Sequence, residues 1–153
     1  MAEAIIPMKF MHLLRSAHWL LLLPLLALVG CAGLAPGRPG SETVSNSPAV
    51  VAMLDASQQE QAAGRLDRAA ANLERALRIE PRNAMIWHRL ARVRLEQGRY
   101  DLVTGLAAKS NTLAGNDALR AANWRLIGTA RTALGDDAGA EAAFANATRL
   151  ERN

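Results

Sequence analysis

Residues 84–101 read Ala84-Met85-Ile86-Trp87-His88-Arg89-Leu90-Ala91-Arg92-Val93-Arg94-Leu95-Glu96-Gln97-Gly98-Arg99-Tyr100-Asp101. Apolar residues return at spacings of three and four, as at Trp87, Leu90 and Ala91, the period of a helix that buries one face. Gly98 stops the pattern, and a second helical run begins at Tyr100. Working outward, the same punctuation recurs at Gly64 and Gly135, so the three glycines are separated by 34 and 37 residues. A period of that length marks stacked helical units, each too small to bury its own apolar face. Alanine is abundant from Ser47 onward and no segment alternates as a strand would. Ser47-Pro48 supplies a helix start, with serine as N-cap and proline pre-set at the first helical position. The pattern predicts an all-α domain with helices over 48–63, 67–79, 84–97, 100–113, 117–134 and 137–151.

Aligned on these glycines, the segments resemble tetratricopeptide repeats, in which Trp, Leu, Gly and Tyr mark the first helix and Ala, Phe, Ala and Pro the second. The middle segment carries Trp87, Leu90, Ala91, Gly98 and Tyr100. The last carries Trp124, Ile127, Gly128, Gly135, Ala140, Phe144 and Ala147. The first is weak at Met53, Ala56 and Ser57 but follows the pattern at Ala69, Leu73, Ala76, Leu77 and Pro81. The resemblance covers about residues 50–153 and implies a solenoid of three helix pairs, with repeats near 50–83, 84–120 and 121–153. Ala69 and Ala140 fall where two helices cross closely, and Leu73 and Phe144 fill the space beside them. In the middle repeat the sizes are exchanged, with Val103 at the small site and Ala107 at the large one, which keeps the total volume roughly constant. Gly105 interrupts the second helix of that repeat at a cost of about 1 kcal/mol relative to alanine. Three extra residues near Ala114 to Asp117 offer Asn116 or Asp117 as a cap and lengthen the next helix at its start. Repeat families of this kind usually add a polar capping helix. Here the chain stops after the third pair, leaving the end around Phe144 for a partner, a second copy or water to cover.

The first thirty-one residues carry a different message. Lys9, His12 and Arg15 precede an apolar run from Trp19 to Val29 broken only by Pro24, which is the pattern of a secretory signal. The run is shorter than the ~20 apolar residues that span a bilayer. It ends in Leu28-Val29-Gly30-Cys31, which resembles the lipobox of bacterial lipoproteins, and Cys31 is the only cysteine. The resemblance implies cleavage before Cys31 and acylation of that residue, and Ala32 behind it implies sorting to the outer membrane, periplasmic side. Residues 1–30 are then a signal peptide, 31–48 the lipidated cysteine and a flexible tether rich in Pro, Gly and Ser, and 49–153 the repeat domain. The 17 tether residues from Ala32 to Pro48 reach roughly 60 Å when stretched, so the domain works near the membrane.

Composition excludes most chemistry. Loss of residues 1–31 removes Lys9, Arg15 and Glu3 and takes the net charge from +4 to +3, with no block of like charge to suggest nucleic acid. His88 is then the single histidine, and no nucleophile–base set, metal-ligand cluster or phosphate-binding glycine loop is present. The expectation is a non-enzyme that needs neither cofactor nor metal.

In tetratricopeptide domains the first helix of each repeat lines a concave groove. Carried over by register, the groove positions hold Met85, His88, Arg89, Arg92, Leu95 and Glu96 in the middle repeat. The third supplies Arg125 and Thr129 among others, and the first Val51, Leu54, Asp55, Gln58, Gln61 and Ala62. Three arginines and a histidine on one channel suit an acidic or carboxylate-bearing peptide, although arginines also serve simply to solvate an alanine-rich helix. The segments around Trp87, Lys109 and Trp124 are similar to short tetratricopeptide lipoproteins of pseudomonads. One group of these, the LpoP-type proteins, activates a bifunctional penicillin-binding protein from the outer membrane. That resemblance implies a protein partner and a role in peptidoglycan synthesis. The alternative is a pilotin-like assembly factor for a pilus or secretion complex.

Overall fold

The computed structural model describes residues 44–152. Six helices follow one another: α1 (Pro48–Ala62), α2 (Leu66–Ile79), α3 (Ala84–Glu96), α4 (Tyr100–Leu113), α5 (Asp117–Ala133) and α6 (Asp137–Glu151). No strand occurs among the described residues. Pairs α1/α2, α3/α4 and α5/α6 are hairpins, and they stack through α2 on α3, α4 on α5 and α3 on α5. This is the expected three-pair solenoid.

The hairpin turns repeat one device. Gly64, Gly98 and Gly135 have φ of 71°, 72° and 78°, a left-handed conformation that glycine adopts without strain. The next residue in each case (Arg65, Arg99, Asp136) donates its N–H five residues back, to Glu60, Arg94 and Arg131, at 2.8–2.9 Å. That bond closes the helix end and reverses the chain within three residues. Between the pairs, side-chain caps do the work: Ser47 accepts from Val50 N–H, Asn83 from Met85 and Ile86, and Asn116 from Leu119 at 2.8 Å. The Asn116 cap makes α5, at 17 residues, the longest of the six.

Two apolar clusters fill the interior. The first gathers Val50, Leu54, Leu73, Leu77, Ile86, Leu90 and Val93 with the alanines of α2. The second is built of Ala91, Val103, Ala107, Ile127, Ala130 and Ala143. Ala69, Val103 and Ala107 are fully buried and Ala140 nearly so, as the close-crossing positions require. Ser57 takes the close-crossing position in α1 and donates to the Ala69 carbonyl at 3.0 Å, tying α1 to α2. Phe144 sits at the uncovered end, as the sequence reading expects. Its ring lies on Gly128, yet 40% of its surface stays exposed, because no described helix packs beyond α6.

The segment before α1 differs from the sequence reading. Val44 packs against the first cluster, and its carbonyl accepts from Asn83 Nδ2 at 2.6 Å. Ser45 is buried and donates to the Glu80 carboxylate. The end of the tether is therefore part of the domain, stitched to the α2–α3 turn.

Candidate protein-binding cleft

Helices α1 and α3 leave a cleft of about 400 Å³, lined by Leu54, Ser57, Gln58, Gln61 and Ala62 on one side and Arg89 and Arg92 on the other. Helical period explains the set. Positions 54, 58, 61 and 62 of α1 share a face, and 89 and 92 lie three apart on α3, one turn along. Leu54 and Ser57 are buried and form the floor, while Gln58 and Arg92 are exposed at the rim. Arg89 is half-buried, and no carboxylate lies within ion-pair distance of it among the described residues. Burial pushes its guanidinium below the usual arginine value, Arg92 pushes the same way, and Asp55 opposes them.

The other residues assigned to the groove from sequence separate in the structure. Glu96 accepts from Gln61 Nε2 and so bridges α3 to α1 at one end of the cleft. Met85 lies in a second hollow, with Val44, Asn83, Asn116 and Leu119. Arg125 pairs with Glu151 of α6 at 2.6 Å. Thr129 spends its hydroxyl on the Arg125 carbonyl at 3.0 Å, within its own helix. The cleft thus holds Arg89 and Arg92 but not Arg125. Cys31 lies outside the described residues. Among those residues, no cluster of potential metal ligands occurs, and no helix is long and apolar enough to cross a membrane.

The same architecture occurs in the globular C-terminal domain of LpoP from P. aeruginosa, with a TM-score of 0.65 and 44% sequence identity over 68% of this chain and 99% of that domain. The chain belongs to the LpoP-like tetratricopeptide-repeat family. The tetratricopeptide-repeat family model matches residues 60–102. The N-terminal domain of stress-induced protein-1 from C. elegans shares the fold at 17% identity, with a TM-score of 0.65 over 69% of this chain and 86% of that one. No curated protein sequence matches. The LpoP-like domain is a protein-interaction scaffold.

Within this LpoP-like domain one polar chain runs through the interior, and the sequence reading missed it. Asn123 of α5 is fully buried. Its amide nitrogen donates to Ser110 Oγ at 2.8 Å and to Asn111 Oδ1 at 3.0 Å. Ser110 in turn donates to the Ala84 carbonyl at 2.8 Å. With its nitrogen so committed, Asn123 accepts through Oδ1 from His88 Nδ1, 2.8 Å away, which fixes the neutral His88 tautomer with its proton on Nδ1. Three helices are joined through four side chains, and no buried side-chain polar atom among the described residues lacks a partner. Burial is the main reason His88 titrates below its ordinary value; Arg92 and Arg89 add to this and the Asn123 bond opposes it. His88 is thus held toward the core rather than left free for a ligand. The available signal was a polar residue, Asn123, directly before the core Trp124.

Proposed function

We propose that this LpoP-like protein is a non-catalytic activator of a bifunctional penicillin-binding protein, lipid-anchored through Cys31 to the outer membrane and facing the periplasm. The observation that carries the reading is the 44% identity extending over 99% of the LpoP globular domain, far beyond what a shared repeat architecture alone requires. The lipobox around Cys31 supports the anchor. Binding is the means of action: a scaffold that prefers the active conformation of the synthase shifts its population toward that state. The α1–α3 cleft and the exposed face of α3 beside it are the contact surface in this account.

Adding the purified lipidated protein to the bifunctional synthase should raise its rate of glycan polymerisation or crosslinking. An unchanged rate at saturating protein would overturn the reading. Cys31→Ser should abolish acyl labelling and membrane retention in cells; normal labelling of that variant contradicts the anchor.

A further inference from the structure

Arginine pairing in the described residues follows a simple rule with one exception. Four arginines are only partly exposed: Arg89, Arg94, Arg120 and Arg131. Three of them hold a carboxylate, Arg94 with Glu74, Arg120 with Asp117 at 2.8 Å and Arg131 with Asp136 at 3.6 Å. The remaining arginines are exposed, where water satisfies a guanidinium at little cost. Arg89 alone among the four makes no ion pair with a described residue, Asp55 attracting it only from beyond ion-pair distance. A partly buried cation without a partner is a destabilising arrangement, and a second cation, Arg92, stands on the same wall of the cleft. A fold gains nothing from that arrangement on its own account, whereas a binding site does.

The cleft itself limits what completes the arrangement. Its volume of about 400 Å³ admits one or two side chains of an extended segment, not a folded surface. The floor at Leu54 is apolar, and Gln58 offers an amide at the rim. Asp55 lies near enough to Arg89 to attract it, and Glu96 is engaged by Gln61. Acids so near the cleft disfavour a long polyanion, whereas the paired cations favour a single carboxylate. Arginine forks bind planar carboxylates in two parallel hydrogen bonds.

We propose that the α1–α3 cleft binds an acidic peptide segment of the protein partner, one carboxylate resting on Arg89 and Arg92 with an adjoining apolar side chain over Leu54. This deepens the partner-binding reading and rests on it for the identity of the partner. Arg125 is excluded from the site by its pairing with Glu151.

The test uses the full chain in detergent and a fluorescein-labelled peptide of sequence Ser-Glu-Leu-Glu-Leu-Gly, with an all-glutamine version as control. The acidic peptide should bind at least about tenfold more tightly than the control, and Arg89→Gln should remove that preference. Arg92→Gln should weaken it by a smaller factor and Arg125→Gln should leave it within about twofold. Because Arg89 makes no ion pair with a described residue, Arg89→Gln should melt no lower than the parent. Equal binding of both peptides, undiminished binding by Arg89→Gln, or an Arg89→Gln variant that melts well below the parent would each overturn the proposal. The synthase assay separates the two ideas. If Arg89→Gln loses peptide binding while the parent never stimulates the synthase, the cleft chemistry stands and the activator reading falls. If Arg89→Gln stimulates the synthase as well as the parent, the activator reading stands and the cleft proposal falls.

Discussion

The two ends of this solenoid are built from one repeat but distribute their polar groups in opposite ways. From α1 to α3 the interior is leucine-rich, and Arg89, partly buried without an ion pair among the described residues, lies in the cleft beside Arg92. From α4 to α6 the apolar cluster is mostly alanine, a buried asparagine ties the helices together, and the nearby arginines 120, 125 and 131 all have carboxylates. At that end no partly buried arginine lacks a carboxylate. The other leaves a charge for something else to satisfy. On the proposal made above, the binding region lies where the pairing is incomplete, since the fold itself is set by the shared apolar positions.

The largest effect should come from breaking the α4–α6 end. Asn123→Ala leaves Ser110, Asn111 and His88 without their shared partner and opens a void in the alanine-rich interface. The domain should lose about 2–4 kcal/mol, read as a lower urea midpoint with an unchanged slope. A loss below about 1 kcal/mol would mean that the polar chain does not hold α3, α4 and α5 together.

Overpacking tests the same contrast at equivalent sites. Ala69→Leu, at a fully buried crossing, should cost about 3 kcal/mol, whereas Ala140→Leu should cost nearer 1 kcal/mol. The difference arises because Phe144, one turn beyond Ala140, is 40% exposed and free to swing outward. Equal costs at the two positions would show that the last pair is as tightly enclosed as the first.

Much of this was legible in the sequence. Glycine at 64, 98 and 135, with Ser47, Asn83 and Asn116 ahead of helices, marked the elements so well that every predicted boundary lies within a residue of the observed one. Repeat register also named Leu54, Gln58, Gln61, Ala62, Arg89 and Arg92, which the structure brings together around one cleft. Register could not say which arginine is free. Arg125 and Glu151 meet only because α6 folds back on α5, and neither residue carries a local signal of the other. The Asn123 chain was hidden for a similar reason, since its members are spread over three helices. Val44 and Ser45 read as tether because nothing in a polar, proline-flanked segment reveals that Asn83 and Glu80 hold it.

A smaller gain should come from Gly105→Ala. A Cβ at that exposed position of α4 meets nothing within 4 Å, so only the helix preference remains, and the domain should gain about 1 kcal/mol. No gain would point to an unrecognised reason for glycine there.

The weakest expected effect is on pH dependence. His88 titrates below its ordinary value in the folded protein, so between that lowered value and about 6.5 the unfolded chain binds more protons than the fold. Stability should therefore fall as pH drops below about 6.5, and His88→Gln should flatten that decline. A decline unchanged in the variant would assign it to other groups.

The comparison of the two ends reduces to a single measurement. A photo-crosslinking amino acid is placed in cells at Gln58, on the rim of the α1–α3 cleft, or at Ala145, exposed on α6. The account predicts a covalent adduct with a bifunctional penicillin-binding protein from position 58, lost when Arg89→Gln is added, and none from position 145. An adduct with that synthase from position 145 alone, or one from position 58 that is indifferent to Arg89, would contradict it.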